Sequence, residues 1–191
     1  MSSVPVGPRT PRPVAVVPGA PDPRLEKLYR YWSSKRKGRR MPSRANIDPV
    51  EIPVDIWPHT MLLDVLWHDG VPRFRYRRAG AVFWRASGPE PTSRFIEEVL
   101  PETAGDRASV IDIYTQMATC QSALYSENIF ALDGQVAPMV SQHMSLPLST
   151  DGGTVDMALA GHVFEHNTLP RDRAFARVCC LHEVARVVLD N

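Results

Sequence analysis

The chain is poor in the features that mark secreted and membrane-spanning proteins. Its 191 residues include only three cysteines, Cys120, Cys179 and Cys180. An odd number with two adjacent members makes no disulfide framework, so we expect a reducing, cytoplasmic environment. No apolar run approaches the roughly 18 residues of a membrane-spanning helix. The N-terminal residues also lack the apolar stretch of a secretory signal, and we expect none.

Motifs of catalysis are also missing. A triad of Ser141, His143 and Asp156 would have no nucleophile elbow around its serine. The composition is ordinary for a globular protein, with 43% hydrophobic and 23% charged residues. We therefore expect one domain with extensions, large enough to bury a core without metal or disulfides, and we expect it not to be an enzyme. The alternative is a small enzyme that uses His143 or His162 as an acid or base.

The net charge of +1 is unevenly distributed along the chain. Residues 1–44 hold 11 Lys and Arg against 2 Asp and Glu, whereas residues 45–191 hold 11 against 19. A basic extension on an acidic domain accounts for this, and a surface for nucleic acid or a membrane is the alternative. The aromatic residues beside the basic stretch fit the buried stripe of a helix better than base stacking. Nucleic-acid binding is therefore disfavoured.

The N-terminal region divides into two segments. Residues 1–21 contain six prolines and predict a disordered, proline-rich arm. Residues 22–38 predict an amphipathic helix that Asp22 caps and Gly38 ends. One face of this helix carries Leu25, Leu28, Tyr29 and Trp32. So short a helix needs a docking surface, and we expect this stripe to contact either the domain or a partner or second subunit.

The rest of the chain alternates between strands and helices. Strands at 61–67 and 73–78 predict a hairpin, a long helix follows from Asp106, and strands at 123–132, 136–148 and 155–163 predict a meander. Together they predict an α+β domain at residues 39–167, with a five-stranded antiparallel sheet and helices on one face. Residues 168–191 predict a C-terminal helical extension, with a helix at 173–189.

Short motifs refine this prediction. They are LYRYW at 28–32, GRRMPSR at 38–44, IDP at 47–49, LDV at 63–65, and FRYR at 74–77 followed by Gly80. Their order and spacing resemble the stand-alone PAS domains of alphaproteobacteria, over about residues 24–167. The resemblance implies a sensory or protein-interaction module in bacterial signalling. With such a role, we expect the N-terminal helix to be the contact with a protein partner or, in a homodimer, with a second subunit. The resemblance implies no established catalytic residues. The hairpin turn at 67–72 departs from the family pattern.

The sequence lacks the residues that hold haem or flavin in PAS domains of the known sensor types. Haem sensors of this type use a histidine on the long central helix, and residues 106–120 contain none. Flavin photosensors use a cysteine before that helix, and residues 87–106 contain none. Both cofactors are disfavoured. His143, His162 and His166 could be metal ligands, but histidines at a sheet edge or pocket rim are the simpler interpretation, so we expect no metal.

Two sets of residues are candidates for specific roles. The first is expected to line a ligand pocket between sheet and helices, although a filled core is the alternative. Its members are Phe83, Trp84, Tyr114, Met117, Tyr125 and His143. The second set, Gly38, Arg44 and Asp48, is expected to form the joint between helix and domain, and we expect Arg44 to pair with an acidic residue.

Overall fold

The computed structural model describes residues 22–83, 90–100, 106–130, 139–166 and 182–188. The predicted arm at 1–21 lies outside these ranges. The helices are α1 (Pro23–Ser34), α2 (Ile96–Val99) and α3 (Asp106–Cys120). The strands are β1 (Thr60–His68), β2 (Val71–Ala79), β3 (Leu124–Phe130), β4 (Met139–Leu148), β5 (Met157–His166) and β6 (His182–Val188). Within the described ranges, no helix is long and apolar enough to span a membrane.

The strands form one antiparallel sheet in the order β2-β1-β5-β4-β3-β6. The first five strands confirm the predicted α+β fold with a five-stranded sheet. The hairpin β1–β2 joins the meander β3–β4–β5 through the pairing of β1 with β5. Strand β5 is therefore the strand that connects the two halves of the sheet.

The predicted C-terminal helix is wrong over residues 182–188. These residues form β6, which pairs with β3 from Leu124 opposite Val188 to Ile129 opposite His182. Three of the seven residues are valines, whose branched side chains favour strands. Without β6, the edge of β3 would leave unpaired backbone groups, so sheet pairing prevails over the helical spacing. Residues 167–181 and 189–191 of the predicted extension lie outside the described ranges.

Helices cover both faces of the sheet. Helix α3 covers one face with Ile113, Tyr114 and Met117, which pack in one core cluster with alternate residues of β1 such as Leu63. Helix α1 covers the opposite face, in a second cluster that includes Leu62 of the same strand. Because successive strand residues point to opposite faces, strands β1, β3 and β5 contribute to both clusters. The N-terminal helix is thus part of the core of the domain.

Helix α1 is shorter than the predicted 22–38. Asp22 caps it as predicted, since its carboxylate accepts a hydrogen bond from the Arg24 amide at 2.8 Å. The helix ends at Ser34, so Gly38 is not its C′ residue. The apolar stripe stops at Trp32, and residues 33–37 are all polar, so they provide no apolar contact that would support a further turn. The chain then reverses through Lys37 and Gly38, both with positive φ, of 50° and 80°.

A glycine lets α1 lie close to the sheet. A Cβ atom at Gly161 of β5 would come within 2.7 Å of Leu28 Cδ2 and 2.8 Å of Leu25 Cδ2. Both distances are shorter than a normal van der Waals contact, so the two leucines occupy the space of the missing side chain. The helix therefore packs directly on the central strand of the sheet.

Candidate functional site

A buried polar cluster lies in the core between the sheet and α3. It consists of Tyr114 on α3, Ser141 and His143 on β4, and His162 on β5. His143 and His162 are directly opposite each other in the antiparallel pair, so their rings project to the same face. All four side chains are buried, and His143 and His162 are only 5% and 9% exposed. Polar groups in such a position need hydrogen-bond partners.

The cluster is organised by hydrogen bonds and aromatic contacts. The Tyr114 hydroxyl lies 3.0 Å from Nε2 of His143, and the Ser141 hydroxyl contacts Nε2 of His162. The two imidazole rings meet edge to face, with centroids 5.3 Å apart. Phe164 and Phe83 stack with the His162 ring at centroid distances of 4.3 and 5.8 Å. The His162 ring is therefore held among aromatic rings.

Burial keeps the cluster uncharged at neutral pH. It lowers the pKa of His143 from 6.5 to about 4. Burial also lowers the pKa of His162 well below its usual value, with further contributions from His143 and His59. The pKa of the Tyr114 hydroxyl is raised by burial. The site therefore offers neutral hydrogen-bonding groups rather than charges.

One nitrogen of the cluster is left over. Nδ1 of His162 is buried and has no hydrogen-bond partner among the described residues. Leaving such a group unpaired in a core costs about 1–3 kcal/mol. One more hydrogen-bonding group next to His162 could therefore pair with this nitrogen.

The sequence model of the PAS domain family matches residues 21–161. The chain belongs to the PAS domain family. The match extends from α1 into β5 and confirms the resemblance seen in the sequence, whereas β6 lies beyond it. No curated protein matches the chain. PAS domains are typically sensory or interaction modules.

Four of the six predicted pocket residues come together in this PAS domain. Phe83, Tyr114 and Met117 share the core cluster beside α3, and His143 contacts Tyr114. Tyr125 does not join them, because it packs in the cluster around α1 on the opposite face. Trp84 lies outside the described residues.

The predicted partner contact is placed inside this chain. Leu25, Leu28 and Trp32 are fully buried, and Tyr29 packs against their cluster. The indole nitrogen of Trp32 donates a hydrogen bond to the carbonyl of Pro147 on β4 at 2.9 Å. Of the two surfaces that the sequence allowed for this stripe, the structure uses the domain itself. In this conformation the stripe is not exposed to a partner or a second subunit.

Asp48 links the joint at residues 38–49 to α1 through its backbone. The Tyr31 hydroxyl of α1 donates to the Asp48 carbonyl at 2.9 Å and accepts from the Asp48 amide at 2.8 Å. Arg44 behaves differently from the prediction. Its guanidinium donates to the Ile47 carbonyl at 2.8 Å, and no described carboxylate lies within ion-pair distance of it.

The other basic residues of the joint bind the chain itself. Arg40 donates to the carbonyl of Cys120, at the end of α3, at 2.8 Å, and to the Gln121 side chain at 3.1 Å. Arg39 donates to the Ser149 carbonyl at 3.4 Å. Because carbonyl oxygens already engage these guanidinium groups, the case for a nucleic-acid surface here is weakened.

Metal ligands do not gather among the described residues. No group of three or more His, Cys, Asp or Glu side chains in those ranges is arranged to hold a metal ion. His143 and His162, which the sequence offered as metal ligands, instead bond to hydroxyl groups. The sequence did contain a signal for this cluster. The predicted meander makes the strands of His143 and His162 neighbours, so the two histidines could have been expected to lie close together.

Proposed function

We propose that this PAS domain is a non-enzymatic sensory module of cytoplasmic bacterial signalling. It binds a small ligand beside Tyr114, His143 and His162, and the ligand changes the docking of α1, which contacts a protein partner when it is released. The observation that supports this most is Nδ1 of His162, which lies in the core between sheet and helix and has no hydrogen-bond partner in the part of the chain that the structure describes. A ligand with a hydrogen-bonding group would complete the cluster there.

The surroundings of the site define the chemistry of such a ligand. Phe83 and Phe164 provide aromatic surface against the His162 ring, and Met117 belongs to the same apolar core cluster. Both histidines are neutral at pH 7, so a charged ligand would lose its hydration without gaining a counter-charge. The ligand class is therefore a small, uncharged, mainly apolar molecule with one hydrogen-bonding group.

The geometry of β5 supports coupling between this ligand and α1. His162 belongs to the cluster, and its neighbour Gly161 lies under Leu25 and Leu28 of α1. A ligand that displaces the backbone at His162 would also displace Gly161, on which α1 packs. A ligand shifts a conformational equilibrium only if it binds the two states with different affinity, and this contact supplies a physical reason for such a difference.

Binding of indole and indene tests the proposal. The two molecules have nearly the same size, but only indole carries an N–H donor, which Nδ1 of His162 accepts in the tautomer whose Nε2–H donates to Ser141. We expect indole to bind about tenfold more tightly than indene, because one buried hydrogen bond differs. In His162→Phe this difference should disappear, whereas His68→Gln, at the exposed end of β1, should retain it. Isothermal titration calorimetry measures all three proteins.

The release of α1 has its own readout. Hydrogen exchange of the α1 amides should become faster when indole is bound to the wild-type protein. Equal affinity for indole and indene, or no saturable binding of either, would contradict the proposed ligand site. Binding without any change in α1 exchange would contradict the coupling alone.

A further inference from the structure

A charged cleft lies on the face of the sheet opposite the histidine cluster. It has a volume of about 380 Å³, and its charged lining residues are Arg44, Asp64, Arg75, Arg77 and Asp156. Asp64 follows Leu63 on β1 and so points to the same face as Leu62, which belongs to the α1 cluster. The cleft is therefore separated by the sheet from the histidine cluster beside α3.

One carboxylate fixes two of the arginines. Nη2 of Arg75 lies 2.9 Å from Oδ2 of Asp64, and Nε of Arg77 lies 2.7 Å from Oδ1. Both oxygens of Asp64 are thereby engaged. The side chain of Asp64 is only 9% exposed, whereas those of Arg75 and Arg77 are 40% and 54% exposed. The negative charge is thus buried beneath two guanidinium groups that remain accessible.

The cleft has more hydrogen-bond donors than acceptors. Among the described residues, Arg77 uses only its Nε, and Arg44 uses only one terminal nitrogen, on the Ile47 carbonyl. Asp156 balances these donors only in part, because its Oδ2 accepts from the Thr150 amide, whereas its Oδ1 is buried and has no hydrogen-bond partner among the described residues. Three guanidinium groups face two carboxylates, which leaves a net charge of +1. The complement of such a cleft is an anion that only accepts hydrogen bonds.

We propose that this cleft binds the phosphate or carboxylate group of a small molecule. Arg44 and Arg77 are the residues that bind the anion, each through N–H groups that no described residue engages. Arg75 adds charge and holds Asp64 in place. Arg44 belongs to the joint, and Arg77 belongs to β2, so a bound anion bridges the joint and the sheet. The proposal is independent of the ligand site beside α3.

Calorimetric titration of the full chain at constant ionic strength tests this site. Inorganic phosphate, glycerol 3-phosphate and acetate serve as probes, with chloride as the background anion. We expect saturable binding of at least one probe to the wild-type protein. Arg77→Gln and Arg44→Gln should each weaken it about tenfold or more, because a charge-assisted hydrogen bond is lost. Arg30→Gln removes the same charge from an exposed site on α1 and should change binding little.

The probes also distinguish the sources of the anion. Tighter binding of glycerol 3-phosphate than of inorganic phosphate would indicate a phosphorylated small molecule, and preference for acetate a carboxylate. Circular dichroism verifies that each variant is folded. If Arg77→Gln does not fold, Arg77→Lys takes its place. It keeps the charge but loses the forked guanidinium group, so it should bind with intermediate affinity. Absence of saturable binding by all three probes would overturn the proposal. An equal loss in Arg30→Gln would also overturn it, since general charge would then explain the effect.

Discussion

His143 makes the stability of the domain dependent on pH. Its pKa is 6.5 in an ordinary setting and about 4 in the folded chain because of burial. Above pH 6.5 the residue is neutral in both states and contributes no pH dependence. Below pH 6.5 the unfolded chain binds a proton that the folded chain does not, so the free energy of unfolding falls as the pH falls. The loss reaches about 3 kcal/mol near pH 4.

Urea denaturation between pH 7.5 and pH 4.5 measures this effect. In His143→Gln the slope of unfolding free energy against pH should be shallower than in the wild type, whatever its stability at pH 7.5. His68→Gln is the matched control, because His68 is exposed at the end of β1. If the slope of His143→Gln equals that of the wild type, the histidine is not the source of the pH dependence.

Tyr125 shows where residue-level prediction reached its limit. Its aromatic character suggested a pocket residue, but Leu124 before it points toward α3 and Tyr125 itself points toward α1. A strand reverses the direction of successive side chains, so the assignment depends on which face belongs to which helix. That information comes from the three-dimensional placement of α1, which the sequence left open between domain and partner.

At the scale of elements, α1 is held mainly by apolar burial. Leu28 is fully buried and touches the position of the missing Gly161 side chain. Leu28→Ala should therefore lower the free energy of unfolding by about 2–5 kcal/mol. Val54→Ala, at an 87% exposed position, should change it by less than about 0.5 kcal/mol. Urea denaturation followed by tryptophan fluorescence measures both variants.

The same pair of variants tests whether α1 docks on its own domain. Hydrogen exchange of the α1 amides should accelerate in Leu28→Ala and stay unchanged in Val54→Ala. A Leu28→Ala protein with wild-type stability and wild-type exchange would mean that the stripe serves another surface in solution.

The element order was predictable because local patterns were strong. The hairpin β1–β2, the central helix α3 and the meander β3–β4–β5 all follow from apolar periodicity and turn residues near their predicted positions. Strand β6 was not predictable in this way. Its valines also lie at helical spacing, and only the open edge of β3 decides between the two structures. Such an edge is a tertiary feature with no local signal in residues 182–188.

At the scale of the whole molecule, the joint connects the two cores. Met41 is buried in the cluster beside α3, whereas Ile47 is buried in the cluster around α1. Between them the chain passes from one face of the sheet to the other. Arg40 ties this crossing to the end of α3, where a cation interacts favourably with the helix dipole. The joint thus fixes the position of α1 relative to α3.

Arg40→Gln should weaken the attachment of the joint to the end of α3. Losing the charged donor at the Cys120 carbonyl should lower the free energy of unfolding by about 1 kcal/mol, since the group is exposed and its hydrogen bond is partly screened. Hydrogen exchange should become faster in the last turn of α3. Arg30→Gln, an exposed i,i+4 partner of Glu26, should leave α3 unchanged. Equal exchange in both variants would show that Arg40 does not hold the end of α3.

Strand β5 also sets limits on how this domain can change during evolution. Its consecutive residues Gly161 and His162 serve opposite faces, one under α1 and the other beside α3. A one-residue insertion or deletion before them would exchange the two faces, placing an imidazole against the leucines of α1 and a hydrogen atom in the polar cluster. Neighbouring residues can compensate for a point substitution, but they cannot compensate for a one-residue shift in the register of the strand. Length changes in descendants of this chain should therefore accumulate in the loops and avoid β5.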